Sequence, residues 1–439
     1  MRSYVELLRL PGALRFCAAA LLARSGGAMM GIGQVLMVSA LYGSYGLAGA
    51  VAAANGAAWA VGTAILSNLV DRLGQRRVMY PAAFVSAAAL AVFIFLGLFQ
   101  TPAWTLFPAA IVCGAFGGAP GAMVRARWNH TVENARQLHT AYSLESTLDE
   151  LTFVVGPVFA TLLSTSIHPA AGLAAPIVLS LSGAHLFYSQ RATEPPSNPR
   201  TAAAAKPNQR RLAAWAGRLL LLAPGVGAVV AVNVLVGAFF GGVDVSAVAA
   251  TTAWQARSSA GLVLGAFSLS SALAGFAYGA RGWRSPLANR FLAGVLALLA
   301  GALTLPWAPS PVILALLGFA VGLTVAPTLI NGNALIGRLV PPERLTEGLA
   351  WMGTSLGIGS ALGSTTAGWA IDAGGARWGF LAAATAAILA AAIAVLGRSA
   401  LRRALAARPS NLAGRGQRAS AGQDQRSEPE SASSTNSTS

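Results

Sequence analysis

Charged residues fall in short bursts along this chain, and the runs between them have the lengths of membrane crossings. Residues 25–70, 78–124, 151–190 and 291–337 contain no Asp, Glu, Lys or Arg, in runs of 46, 47, 40 and 47 residues. A helix needs about 20 apolar residues to cross the hydrocarbon core, so each run has room for two helices and a turn. Turn-forming residues sit mid-run: Gly43 and Gly46, Pro102, Pro169 with Gly172, and Pro306, Pro309 and Pro311. Single-helix runs follow at 219–243, 258–280, 348–371 and 378–397, and the segment 1–24 completes the first helix. The pattern predicts twelve spans, at 13–38, 47–69, 78–98, 104–125, 143–165, 171–189, 219–241, 254–279, 287–305, 312–334, 349–371 and 377–397.

The spans fall into two related sets of six. Ala119-Pro120 recurs as Ala326-Pro327, an offset of 207 that also carries Leu138 to Leu345, Gly156 to Gly363 and Ala160 to Ala367. The expected fold is therefore an all-α integral membrane protein of twelve helices in two pseudo-symmetric six-helix bundles, residues 1–190 and 219–397. The Pro- and Arg-bearing segment 191–218 is expected to link them on the cytoplasmic side. Residues 398–439, Arg-rich and then Ser/Thr-rich, have too little apolar surface to order themselves and are expected to form a disordered cytoplasmic tail.

Composition agrees with this picture. Hydrophobic residues make up 55% of the 439 and charged residues 10%, against roughly 25% in a soluble domain. The net charge of +16 raises the possibility of nucleic-acid binding, but the positions of the basic residues argue against it. Twenty-seven of 30 lie in the N-terminus, the even-numbered loops and the C-terminal tail; Arg257 and Arg377 lie opposite, and Arg24 falls within a span. Basic residues collect on the cytoplasmic face, so both termini are expected there, in a multi-pass protein of the plasma membrane. Attraction to anionic lipid accounts for the excess charge. Cys17 and Cys113 are isolated within spans and predict neither disulfide nor metal site, and residues 1–16 lack a signal-cleavage pattern.

After the second span comes Ser67-Asn68-Leu69-Val70-Asp71-Arg72-Leu73-Gly74-Gln75-Arg76-Arg77. This resembles the signature between spans 2 and 3 of the major facilitator superfamily, roughly G-x-x-x-D-R-x-G-R-R. Asp71, Arg72, Gly74 and Arg76 match; Ser67 and Gln75 depart from it. The resemblance covers about residues 10–397 and implies a cytoplasmic gate formed by Asp71, Arg72, Gly74, Arg76 and Arg77, with Asp71 meeting the eleventh span when the inner side closes. Val155-Gly156-Pro157 in the fifth span resembles the Gly-Pro motif of the family's proton-coupled exporters, although Ala160-Thr161 replaces the small pair that usually follows.

Three of the chain's 14 acids, Glu145, Asp149 and Glu150, lie together in the fifth span. Glu145, Asp149, Thr152 and Gly156 fall at i, i+4, i+7 and i+11 and share one helical face. Ionised groups in the bilayer are costly and usually serve a pathway or proton relay. Their repeat partners, Met352, Leu356 and Gly357, are not acidic. Arg24, nine residues beyond Arg15, stands at about the depth of Asp149, ten beyond His139, and is the expected counter-ion. Glu150 or Glu145 would then exchange protons; a structural ion pair or direct contact with a cationic substrate are the other roles open to these acids. Gln34, Asn233, Asn331 and Asn333 are polar residues of the first, seventh and tenth spans, which line the substrate cavity in the resembled family.

Four scattered His and two isolated Cys do not make an enzyme site, and no phosphate-binding loop is present, so no cofactor is expected. A sensor would need a folded soluble domain, which neither the linker nor the tail supplies. The expected function is secondary transport of a small molecule by alternating access, as proton-coupled efflux of drug-like or amphiphilic compounds by a monomer; import or facilitated passage of a sugar or other metabolite is the alternative.

Overall fold

The computed structural model describes residues 2–196, 225–281, 283–340 and 345–406, and all regular structure among them is helical. The first half comprises α1 (Arg2–Leu8), α2 (Ala13–Tyr42), α3 (Tyr45–Leu73), α4 (Gln75–Leu98), α5 (Leu106–Gly117), α6 (Pro120–Thr131), α7 (Ala135–Ser166) and α8 (Ala171–Tyr188). The second comprises α9 (Val226–Ala253), α10 (Ser259–Ala280), α11 (Leu287–Ala302), α12 (Pro311–Leu339), α13 (Leu345–Gly374) and α14 (Ala376–Ala406). Eleven crossings, with α5 and α6 counted as one, are long and apolar enough to span a membrane. The remaining passage is α13, whose many Gly, Ser and Thr residues suit a helix packed between α3 and α9. Outward-facing side chains are apolar, among them Val178, Val312 and Leu396, as lipid requires.

Several boundaries differ from those the charge-free runs predict. The seventh crossing is α9 at 226–253, not 219–241, so Asp244 lies inside a helix where the sequence pattern places a loop. The twelfth, α14, continues to Ala406, so the first nine residues of the expected tail are helical; residues 407–439 and 197–224 lie outside the described residues. The fourth crossing is broken. Gly118 adopts φ 64°, ψ −165°, a region open essentially to glycine alone, and Pro120 starts α6. The freed Gly118 carbonyl accepts a hydrogen bond from Trp59 Nε1 at 2.7 Å. Irregular backbone at membrane depth survives only when its polar groups are satisfied in this way.

Within the second half, α9 and α13 pack backbone to backbone. Gly237 and Gly241 of α9 face the carbonyls of Leu356 and Ser360, while Gly359 and Gly363 of α13 face those of Val234 and Ala238. Small residues at helix interfaces replace the hydrophobic drive that lipid cannot supply. Between the halves, contact is concentrated away from the end that carries the chain termini; we call this the far end. There Asp372, at the end of α13, accepts hydrogen bonds from Ser44 Oγ (2.7 Å) and the backbone amides of Tyr45 and Gly46 (2.8 Å each), capping the first turn of α3. Arg257 donates to the Leu36 carbonyl at 2.7 Å and to Ser39 Oγ at 3.2 Å, and burial lowers its pKa from the ordinary guanidinium value. Gly49 of α3 meets the backbone of Ser364, and Gly261 of α10 meets Val158 and Thr161 of α7.

Gly363→Ala puts a methyl group against the Ala238 backbone and is expected to destabilise the protein by about 1–3 kcal/mol. Gly353→Ala, in open space on the same helix, is expected to be neutral or stabilising by up to about 1 kcal/mol. Thermal unfolding in detergent measures both; equal effects would remove the close α9–α13 contact as a determinant of stability.

Candidate functional site

On the terminal side of Gly49 and Ser364 the halves part around a cavity of about 640 Å³, a size that suits a drug-sized molecule. Its first-half wall includes Gly27 and Gly31 of α2, Gly56 and Trp59 of α3, the broken segment Gly117–Ala122, and Asp149, Thr152 and Phe153 of α7. The second half contributes Gly241, Asp244, Val245, Gly357, Ser360, Ala361 and Ser364. Among the described residues, no atom of another element lies within 4 Å of a side chain built at Gly27, Gly31, Gly56 or Gly357, so these positions leave open volume.

A four-membered charge network lies in the first-half wall. Arg24 of α2 spreads its guanidinium over α7, donating from Nη1 to Asp149 Oδ1 at 2.7 Å and from Nη2 to Glu145 Oε2 at 2.6 Å. Arg125 of α6 donates to the other Asp149 oxygen at 2.7 Å. Glu145 is fully buried, and its Oε1 also accepts from Trp128 Nε1 (2.7 Å) and Cys17 Sγ (3.3 Å). The two acids therefore differ in surroundings. Glu145 is sealed behind Trp128 and Arg24, whereas the Asp149 side chain is 27% exposed and lines the cavity. Each charge has its opposite, which makes ionised groups tolerable at this depth.

Helix periodicity accounts for the placement of the two acids: four residues apart on α7, they face α2 together, and Arg24 reaches both. Sequence reasoning missed Arg125 because the fourth span was expected to end there; the helix continues to Thr131 after the break and turns Arg125 toward Asp149. It missed Asp244 for the same reason. The side chain of Glu150 lies outside the described residues. Gly156 packs on Ala28 of α2, and Pro157 is accommodated inside α7.

The polar residues expected in the cavity divide. Gln34 is at the wall, 1% exposed, with neither amide atom partnered among the described residues. Asn233 instead bridges α9 to α13, donating to the Met352 carbonyl (2.6 Å) and Ser355 Oγ (2.8 Å). Asn331 accepts from Tyr278 Oη at 2.9 Å and donates to the Pro327 carbonyl, while Asn333 is exposed; none of the three lines the cavity. An amide inside an apolar helix must find a partner, and here the neighbouring helices supply it.

At the terminal end, Asp71 and Arg72 belong to the last turn of α3 and Gly74 turns the chain at φ 92°. The Arg76 amide donates to Glu194 at 2.9 Å. Arg77 lines a second, solvent-open pocket of about 620 Å³ beside Arg76 and Arg191. Gln75, where the resembled signature has a basic residue, accepts from the buried Arg127 at 3.0 Å. Arg127 also donates to Thr193 and stacks 3.8 Å from the Phe187 ring, tying the start of α4, α6 and the segment after α8 together.

The family model of the Major Facilitator Superfamily matches residues 16–255 and 234–427. No curated protein sequence matches the chain. Among solved structures, the nucleoside transporter NupG superposes with TM-score 0.68 at 15% identity, covering 89% of this chain and 98% of its own. The peptide transporter POT in complex with sulfate gives 0.65 at 14%, covering 91% and 96%. A bacterial homologue of the human lysosomal transporter Spinster, inward-facing and unoccupied, gives 0.65 at 14%, covering 90% and 98%. These likenesses establish the fold.

Glu145→Ala leaves Arg24 with one carboxylate and Trp128 with no acceptor, and is expected to cost about 3–5 kcal/mol. Asp149→Ala, at a partly exposed position, is expected to cost less than half of that. Unfolding of both variants in detergent tests the ranking; a reversed order would make Asp149 the anchor.

Proposed function

Because the chain belongs to the major facilitator superfamily and is a membrane transport protein, we propose that it is a proton-coupled exporter of a small solute, working by alternating access with Asp149 as the proton carrier. The observation that carries this is the unequal burial of the two α7 acids on one arginine. Glu145 holds Arg24 in place. Asp149 reaches the cavity, where a proton can arrive, and its protonation releases both Arg24 and Arg125. The released cations change the electrostatics of the wall against which solute binds, and that links proton and solute occupancy. The basic loops and termini support a cytoplasmic terminal end in the plasma membrane, so the conformation closed at the far end is inward-facing. The Gly156-Pro157 resemblance favours efflux over import. Asp71 and the neighbouring arginines serve as the inner gate, closing on α13 as Asp372 of α13 now closes on α3. A monomer suffices, since both walls of the cavity come from one chain.

In inside-out proteoliposomes with a pH dye and an imposed gradient, solute-dependent proton release is expected from the wild type and at least about tenfold less from Asp149→Asn. Solute transport without proton movement would make the network a structural lock and the protein a facilitator. Asp372→Ala, which removes three far-end hydrogen bonds, is expected to shift the inward–outward equilibrium outward by about 2 kcal/mol. Spin-label distances across the far end report this; an unchanged distribution would show that Asp372 does not latch the gate.

A further inference from the structure

The second-half wall of the cavity holds a carboxylate that the charge network does not use. Asp244 sits in the interior of α9, deep in the bundle yet open to the cavity, with no ion pair or hydrogen bond among the described residues. The other charged groups at the cavity, Arg24 and Asp149, belong to a set of two arginines and two acids whose formal charges cancel. Among the described residues, no basic residue lines the cavity from the second half. The site thus holds one carboxyl group without a basic partner among the described residues, on one side, in surroundings that are otherwise largely apolar.

We infer that this cavity takes an amphiphilic molecule bearing a single positive charge, which Asp244 of α9 holds while the apolar and aromatic wall holds the rest. This inference rests on the cavity being the solute site proposed above, and it names the substrate class. A carboxylate at this depth is costly unless a cation accompanies it, so a cationic solute brings the missing counter-ion. An anion meets repulsion, and a neutral sugar leaves the carboxylate unpaired beside too few hydrogen-bonding groups to clothe its hydroxyls. Trp59 and Phe153 line the cavity and supply aromatic surface suited to an alkylated ammonium group or an aromatic body. One carboxylate selects a monocation, because a second positive charge would find no partner on this wall.

The test is equilibrium binding by calorimetry to the full chain in nanodiscs of neutral lipid. The probes are 4-biphenylmethyl-trimethylammonium, its neutral tert-butyl analogue and the corresponding sulfonate. Wild type is expected to prefer the ammonium over the neutral analogue by at least about tenfold, which is about 1.4 kcal/mol, and to bind the sulfonate least. Asp244→Asn is expected to abolish that preference while leaving affinity for the neutral probe unchanged, and Asp244→Glu to retain it. Asp244→Ser provides a second neutral variant should the asparagine protein not fold. A wild type that does not discriminate by charge, or neutral variants that keep the preference, would overturn the inference. The outcome is separable from that of proton exchange. Charge-selective binding that depends on Asp244 upholds this inference even if no proton moves, whereas proton antiport with a preference indifferent to Asp244 removes it alone.

Discussion

The penalty for an ionised side chain inside a bilayer governs this structure, and the Arg24 guanidinium is where the protein meets it most directly. Arg24 stands within α2 at a depth where an isolated charge would cost several kcal/mol. Two carboxylates one helical turn apart on α7 meet it, and Arg125 from α6 balances the second of them. Three helices are thereby fixed against one another by groups that none could carry into the membrane alone. The indole of Trp128 completes the coordination of Glu145, so the fully buried member of the set has no unmet demand.

The break in the fourth crossing serves the same arrangement. A continuous helix from 106 to 131 would present Arg125 on a face set by the register of α5. Gly118 and Pro120 reset that register, and the carbonyl released at the break is taken by Trp59 from across the cavity wall. The discontinuity also brings Gly121 close to Arg24, Arg125 and Asp149, so backbone rather than side chain fills the space between the network and the cavity. The two halves then differ in kind. One holds a neutralised cluster, the other an acid unpaired among the described residues, on a helix that packs through glycines against α13 and also against α14.

Packing between the halves differs from packing within them. At the far end the joints include hydrogen bonds, where Asp372 meets the open amides of α3 and Arg257 meets the Leu36 carbonyl and the Ser39 hydroxyl of α2, beside the glycine contact of Gly49 with Ser364. Such bonds can be exchanged for bonds to water, and their net strength is modest. Inside each half, glycine brings backbones into contact, as between α9 and α13, and a rigid body results. Weak joints between rigid bodies are what a rocking motion needs.

The number of crossings, their order and the six-plus-six repeat are determined by the sequence itself, because lipid forces every spanning segment to be long, apolar and helical. The Arg24–Asp149 pair was legible too: depth along a helix scales with residue count, and two opposite charges at one depth have a strong reason to meet. Asp244 and Arg125 were not, because a charge was taken to end a span, and a cavity is where that rule fails. The asparagines misled for a related reason. Periodicity places Asn233 and Asn331 on helices but does not say whether another helix or a void lies opposite, and here neighbouring helices satisfy both. Which acid is sealed and which is wet, and which carboxylate is left without a partner, depends on how the two bundles close on each other. Only the tertiary structure decides that, because dielectric and hydrogen-bond supply belong to the space between helices and not to any one of them.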